Sequence, residues 1–185
     1  RAKDAILRIP AGTALAGFGL ALSDSIDNST ASQSAQNLLP VALKYPAIDV
    51  SHNGRRRWFA DYERDLTTYW IAGISWITVV GEPFLSALGG ADALASGLSP
   101  QIAVRKGRDS VMFQLGDRPI TGEAGTDDAL LPLYHALGGR LKPKGNGHPS
   151  RRNPRHPVFG ESQKARSLAW ERRFYDGGQS QEKRQ

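Results

Sequence analysis

From Tyr69 to Val80 the chain runs twelve residues without a formal charge, rich in β-branched and aromatic side chains. Both parities are apolar, with Ile74, Trp76 and Val80 on one face and Ile77 and Val79 on the other. That pattern predicts a strand covered on both sides, near the middle of a sheet. Pro83 suits a first helical position and Gly89-Gly90 a helix C-terminus, so a short helix should follow directly.

Other elements fall around this pair. Ala14 to Leu22 alternates through Phe18, Leu20 and Leu22 and predicts a strand, with Gly17 and Gly19 permitting close backbone approach. Thr30 to Lys44 predicts a helix with Ala35, Leu38, Leu39 and Leu43 on one side, interrupted at Pro40 and closed by Pro46. Ala47 to Val50 is a short extended piece. A second short helix is expected over Ala91 to Leu98, with Asp92 as its N-cap. Gln101 to Arg105 and Ser110 to Gly116 predict a hairpin across Lys106 to Asp109, in which Gly107 supplies a positive φ. Between Thr126 and Leu141, Leu130, Leu133, Tyr134 and Leu137 form a core-facing stripe, with Pro132 near the start and Pro143 at the end. A last helix over Glu161 to Tyr175 offers Leu168, Trp170 and Phe174 for docking.

Alternating elements with at least one hairpin predict an α+β (mixed α/β) domain, a central sheet of four or five strands flanked by short helices. The expected unit spans residues 1–176, followed by a polar tail over 177–185. No apolar run approaches the ~20 residues needed to cross a bilayer, so no membrane partner is expected. There is no cysteine, which excludes disulfides and thiolate chemistry. Arg1 to Pro10 resembles the end of a helix rather than a leader, so the expectation is a chain that starts inside a longer protein and works in the cytoplasm.

The net charge of +6 is concentrated. Arg140, Lys142, Lys144, Arg151, Arg152 and Arg155 occur with no acid between 140 and 160, and these six equal the whole excess. The remainder is balanced, unlike a uniformly basic nucleic-acid binder. The basic loop itself is broken by Pro143, Pro149, Pro154 and Pro157 and lacks interleaved aromatics, which disfavours nucleic acid as a partner.

Two loops carry the remaining chemistry. Arg55 to Asp65 gathers four arginines, three aromatics and three acids, and Arg55, Arg57, Trp58, Tyr62, Glu63 and Asp65 are candidate interface anchors. The same loop read plainly tucks Trp58 and Phe59 into the core. Gly116 to Asp128 carries Asp117, Glu123, Asp127 and Asp128, oxygen ligands a hard cation would accept. Their spacing matches no calcium loop, and acids before a helix are favoured by its dipole. His52, His135, His148 and His156 lack zinc spacing, no phosphate-cradling glycine motif follows a strand, and no nucleophile elbow is present. No cofactor is implied. The absence of a catalytic constellation favours a protein that works by binding.

Several segments, in order, resemble the type VI secretion immunity family. Ala16-Gly17-Phe18-Gly19-Leu20 is similar to that family's Ala-Gly-Leu-x-Phe strand. Tyr45-Pro46-Ala47-Ile48-Asp49-Val50 is similar to Tyr-x-Gly-Leu-Asp-Val, with Ala47 in place of the glycine. Ile71 to Thr78 resembles the signature Ile-Lys-Gly-Val-Asn-Trp-Leu-Thr, with Ala72 for the lysine and Ser75 for the asparagine, and is followed by Leu88-Gly89-Gly90. Gly116 to Gly122 matches Gly-x-x-Pro-x-x-Gly. The helix bearing Tyr134 and ending Leu141-Lys142-Pro143, then Trp170 and Arg173-Phe174, complete the series.

The resemblance covers roughly Ala14 to Phe174 and corresponds to the C-terminal part of longer members, implying an N-terminal portion elsewhere. It implies a non-enzymatic protein that neutralises a cognate toxin, in some cases a nuclease, by direct stoichiometric binding. The signature residues read as structural. The binding residues are expected in the Arg55 to Asp65 loop first and in the Asp117 to Asp128 loop second, where carboxylates can imitate phosphate. Two rivals are a nucleic-acid-binding module built on the 140–155 loop and a hydrolase whose site is assembled from dispersed residues.

Overall fold

The computed structural model describes residues 13–22, 40–52, 73–141 and 164–175. Its centre is the expected strand, in a shorter form. Strand β4, Ile77–Gly81, is buried along its whole length and is flanked on both sides by antiparallel partners. These are β1, Thr13–Ala16, and β6, Ser110–Leu115, with β5, Ile102–Lys106, completing a four-stranded sheet in the order β1-β4-β6-β5. The hairpin β5–β6 pairs Ile102 with Leu115 and Lys106 with Val111. The architecture is α+β, as expected.

The register distributes side chains to two faces. Val80 lies opposite Val111 and Thr78 opposite Phe113. On that side Val80, Val111, Phe113 and Leu115 join the main core, whose other members include Phe84, Leu94, Leu133, Tyr134, Leu137, Phe174 and Tyr175. Fully burying side chains of this size contributes about 1.5–3 kcal/mol each, enough to fix the register. On the reverse side Ile77, Val79 and Met112 form a second cluster with Ala14, Ala16 and Trp76 packed against it. Trp76 therefore sits with Ile77 and Val79, not opposite them. Residues 73–76 are not strand, so the period-2 alternation does not extend to them.

The reason lies just before β4. Gly73 takes φ 75°, a conformation that breaks an extended run. Thr78 Oγ1 then accepts the Ser75 N–H at 3.1 Å and donates to the Ser75 carbonyl at 3.0 Å, closing a buried turn. Residues 69–72 lie outside the described residues.

Ala14 to Leu22 is likewise two strands rather than one. After β1 the chain passes Ser75 so closely that a Cβ on Gly17 would stand 2.1 Å from the Ser75 Oγ. It leaves the large sheet there and re-forms as β2, Gly19–Leu22, in a separate parallel pair with β3, Asp49–His52. The expected extended piece near Val50 is this β3.

Among the described residues four helices have defined limits: α1, Phe84–Ala87; α2, Gly90–Ala95; α3, Leu131–Arg140; and α4, Lys164–Glu171. Pro83 is the cap of α1 rather than its first residue. Asp92 does not cap α2; Gly89 occupies that position with φ 91°, and the Asp92 carboxylate pairs with Lys106. Gly107 is not among the positive-φ residues; the hairpin closes through the Gly107 N–H donating to the Ser110 carbonyl at 2.7 Å. Helix α3 begins later than the sequence predicts, with Pro132 in its first turn, and the stripe Leu133, Tyr134 and Leu137 is buried. Trp170 and Phe174 dock as expected, at 4% and 2% exposure. Residues 40–44 are helical, but Leu43 is exposed rather than packed.

Candidate functional site

Of the two loops singled out by sequence, the one carrying Arg55, Arg57, Trp58, Tyr62, Glu63 and Asp65 lies outside the described residues, as does the basic loop beyond Leu141. The acidic loop is described in full. Its organiser is Asp127, only 3% exposed. One carboxylate oxygen accepts three bonds, from the Thr121 N–H at 3.0 Å, the Thr121 hydroxyl at 3.0 Å and the Gly122 N–H at 2.9 Å. Arg118 reaches the other oxygen at 3.4 Å. Burial pushes this carboxyl up, but the bonds from Gly122 and Thr121, with the Arg118 charge, outweigh it and hold Asp127 below the usual carboxylate range.

Folding the loop around Asp127 requires Gly116, Gly122 and Gly125 in the left-handed region, at φ 73°, 80° and 80°. Gly122 has a second reason to lack a side chain. A Cβ there would stand 2.9 Å from both the Ala47 nitrogen and the Pro46 ring. The Ala47 N–H donates to the Thr121 carbonyl at 2.9 Å, and Lys44 pairs with Glu123 at 3.1 Å. The acidic loop is thus bound along one side to residues 44–47. Arg173 Nε donates to the Pro46 carbonyl, while its guanidinium stacks 3.8 Å from the centre of Trp170 and 4.8 Å from that of Phe174. Beneath the loop, burial pushes the Tyr134 hydroxyl up to about 12, with the Asp127 charge acting in the same direction.

This geometry separates the four candidate acids. Asp127 faces inward and shapes the loop. Asp117 and Asp128 are exposed and Glu123 is half-buried. The Asp128 carboxylate accepts the Gly125 N–H at 3.0 Å, which fixes its direction, and Glu123 is steadied by Lys44. The four do not converge on a point, and no group of three or more His, Cys, Asp or Glu suited to a metal occurs among the described residues. Arg140, first of the basic series, donates to the Ser96 carbonyl at 2.6 Å, at the C-terminal end of α2. Residue patterns gave Lys44 no role, and Thr121 and Arg173 entered only through the family series, with no contact assigned to them. Their partners lie far along the chain or depend on loop shape, and no local spacing marks them.

Fold and loop together define a small α+β domain whose described surface includes a braced acidic loop. The chain belongs to the family described as type VI immunity for VRR-NUC (TsiV), whose model matches residues 7–174. Among solved structures it is similar in fold to the Pseudomonas aeruginosa T6SS protein PA0821, with a TM-score of 0.53 and 20% sequence identity. The likeness covers 89% of this chain and 48% of that one, so the chain spans about half the length of its structural neighbour. No protein with a curated description matches. No helix among the described residues is long and apolar enough to cross a membrane.

Proposed function

We propose that this chain is an immunity protein that binds a VRR-NUC toxin of a type VI secretion system and silences it by occupying its surface, molecule for molecule. The observation that carries this reading is the family match, which runs through nearly the whole chain, residues 7–174. The reading requires no chemistry of its own from the chain. Affinity must come instead from an interface of roughly 800 Å² per partner with a few well-buried anchors. The braced loop suits that role, because groups already held in place lose little conformational freedom on binding. The Arg55 to Asp65 segment, the first expectation from sequence for its Arg and aromatic content, is proposed as a contact beside it. We place the encounter in the cytoplasm, where a nuclease toxin meets nucleic acid.

Co-expression with the toxin encoded in the same gene neighbourhood tests the reading. Cells carrying both proteins should survive induction that kills cells carrying toxin alone, and an inactive toxin should co-purify with this chain in equal amounts. Killing unchanged by co-expression, with no complex recovered, overturns the proposal.

A further inference from the structure

Three large hydrophobic side chains are exposed among the described residues: Phe18 at 47%, Val41 at 37% and Leu43 at 46%. Two share the short helical segment 40–44, and that segment is fastened to the acidic loop. Lys44, next to Leu43, pairs with Glu123 at 3.1 Å. The Tyr45 N–H donates to the Val41 carbonyl at 2.9 Å, and the Ala47 N–H to the Thr121 carbonyl at 2.9 Å. Phe18 joins the other end of the same stretch, its carbonyl accepting the Asp49 N–H at 3.0 Å. Among the described residues, two of the three exposed apolar side chains, Val41 and Leu43, therefore lie on a segment bonded directly to the acidic loop.

That combination is the composition of a binding surface, apolar contacts bordered by charge. We propose that residues 41–44 and the loop 117–128 form the toxin-facing surface, with Val41 and Leu43 as apolar contacts and Asp117, Glu123 and Asp128 as the acidic border. The proposal rests on the immunity reading above and adds to it the face and the partner's charge. The occupant it fits is the cationic surface with which a nuclease receives its polyphosphate substrate, because opposite fields speed encounter and disfavour other partners. Within this surface Lys44 pairs with Glu123 at 3.1 Å and Arg118 with Asp127 at 3.4 Å, and the four acids outnumber these two bases.

Binding of the purified chain to a catalytically inactive VRR-NUC toxin tests this. The pair Val41→Ser and Leu43→Ser should weaken the complex by about tenfold or more, mainly through faster dissociation. The triple change Asp117→Asn, Glu123→Gln and Asp128→Asn should slow association and flatten its dependence on salt. Arg108→Ala, on the distant β5–β6 turn, should bind as the wild type does, and all variants should melt near the wild-type temperature. Wild-type affinity in both sets of variants overturns this surface while leaving the immunity reading intact. Failure of the wild-type chain to bind overturns both. A wild-type dimer in sedimentation that the Val41 and Leu43 changes dissolve would also overturn the proposal, because a second copy would then be the occupant.

Discussion

The backbone of Gly138 passes the Phe174 carbonyl so closely that a Cβ on Gly138 would stand 2.1 Å from that oxygen. This approach lets the turn after α4 settle onto α3. Phe174 packs 5.4 Å from Tyr134 and, edge-on at 73°, 5.4 Å from His135. Arg173 is delivered to Pro46 by the same turn.

The two adjacent glycines of α3 should therefore respond oppositely to alanine. Gly138→Ala forces backbone against Cβ and should cost at least about 2 kcal/mol. Gly139 has nothing within 4 Å of its would-be Cβ, so Gly139→Ala should stabilise by about 0.5 kcal/mol through helix propensity. Urea unfolding of the two variants makes the comparison. Equal effects would show that the close approach is not energetically important.

Asp127 should matter for stability before it matters for binding. Asp127→Ala leaves the Thr121 and Gly122 amides without their acceptor and should cost about 2–3 kcal/mol. Its folded-state affinity for protons is lowered, so the unfolded chain binds the proton more readily. The carboxylate's contribution is then complete above its ordinary value of 3.8 and is lost as pH falls through the lower folded value. Acid unfolding should consequently begin at higher pH in a variant whose loop keeps Asp127 but lacks the Thr121 hydroxyl, such as Thr121→Val.

His135 sets a different window. Burial lowers its folded value below 6.5, and its Nδ1 is buried with no hydrogen-bond partner among the described residues. The sign is again that of a depressed group: stability is fully present above pH 6.5 and declines as pH falls from there toward the folded value. His135→Gln should flatten the dependence of unfolding free energy on pH below 6.5, measured by urea titration at several pH values. An unchanged slope would show that His135 protonates without strain.

Thr78 tests whether the family signature is a matter of folding. Its side chain is fully buried and bonds both backbone groups of Ser75. Thr78→Ser keeps these bonds, whereas Thr78→Val removes them at similar volume and should cost about 1–2 kcal/mol. If the valine variant is as stable as the serine variant, the turn does not depend on this side chain.

Much of this fold was legible in the sequence because the hydrophobic pattern is strong where the core is. The central strand, the β5–β6 hairpin and the stripe Leu133, Tyr134 and Leu137 all follow from period-2 or helical spacing. The misses share a cause. Gly17 ends a strand, Gly73 delays one, and Trp76 changes face, each through backbone turns that alternation alone does not register. The acidic loop was visible as a cluster of carboxylates, yet the division between inward Asp127 and outward Asp117, Glu123 and Asp128 was not. That division depends on Thr121 and Gly122 curling round one carboxylate, and on Pro46 lying against Gly122, an arrangement made between distant segments.

The proposal that this chain silences a VRR-NUC toxin by binding it is tested most directly by titrating the toxin's nuclease activity with the purified chain. DNA cleavage should then fall linearly and stop near one equivalent, without modification of the toxin. Undiminished cleavage at several equivalents, under conditions where both proteins are folded, would contradict it.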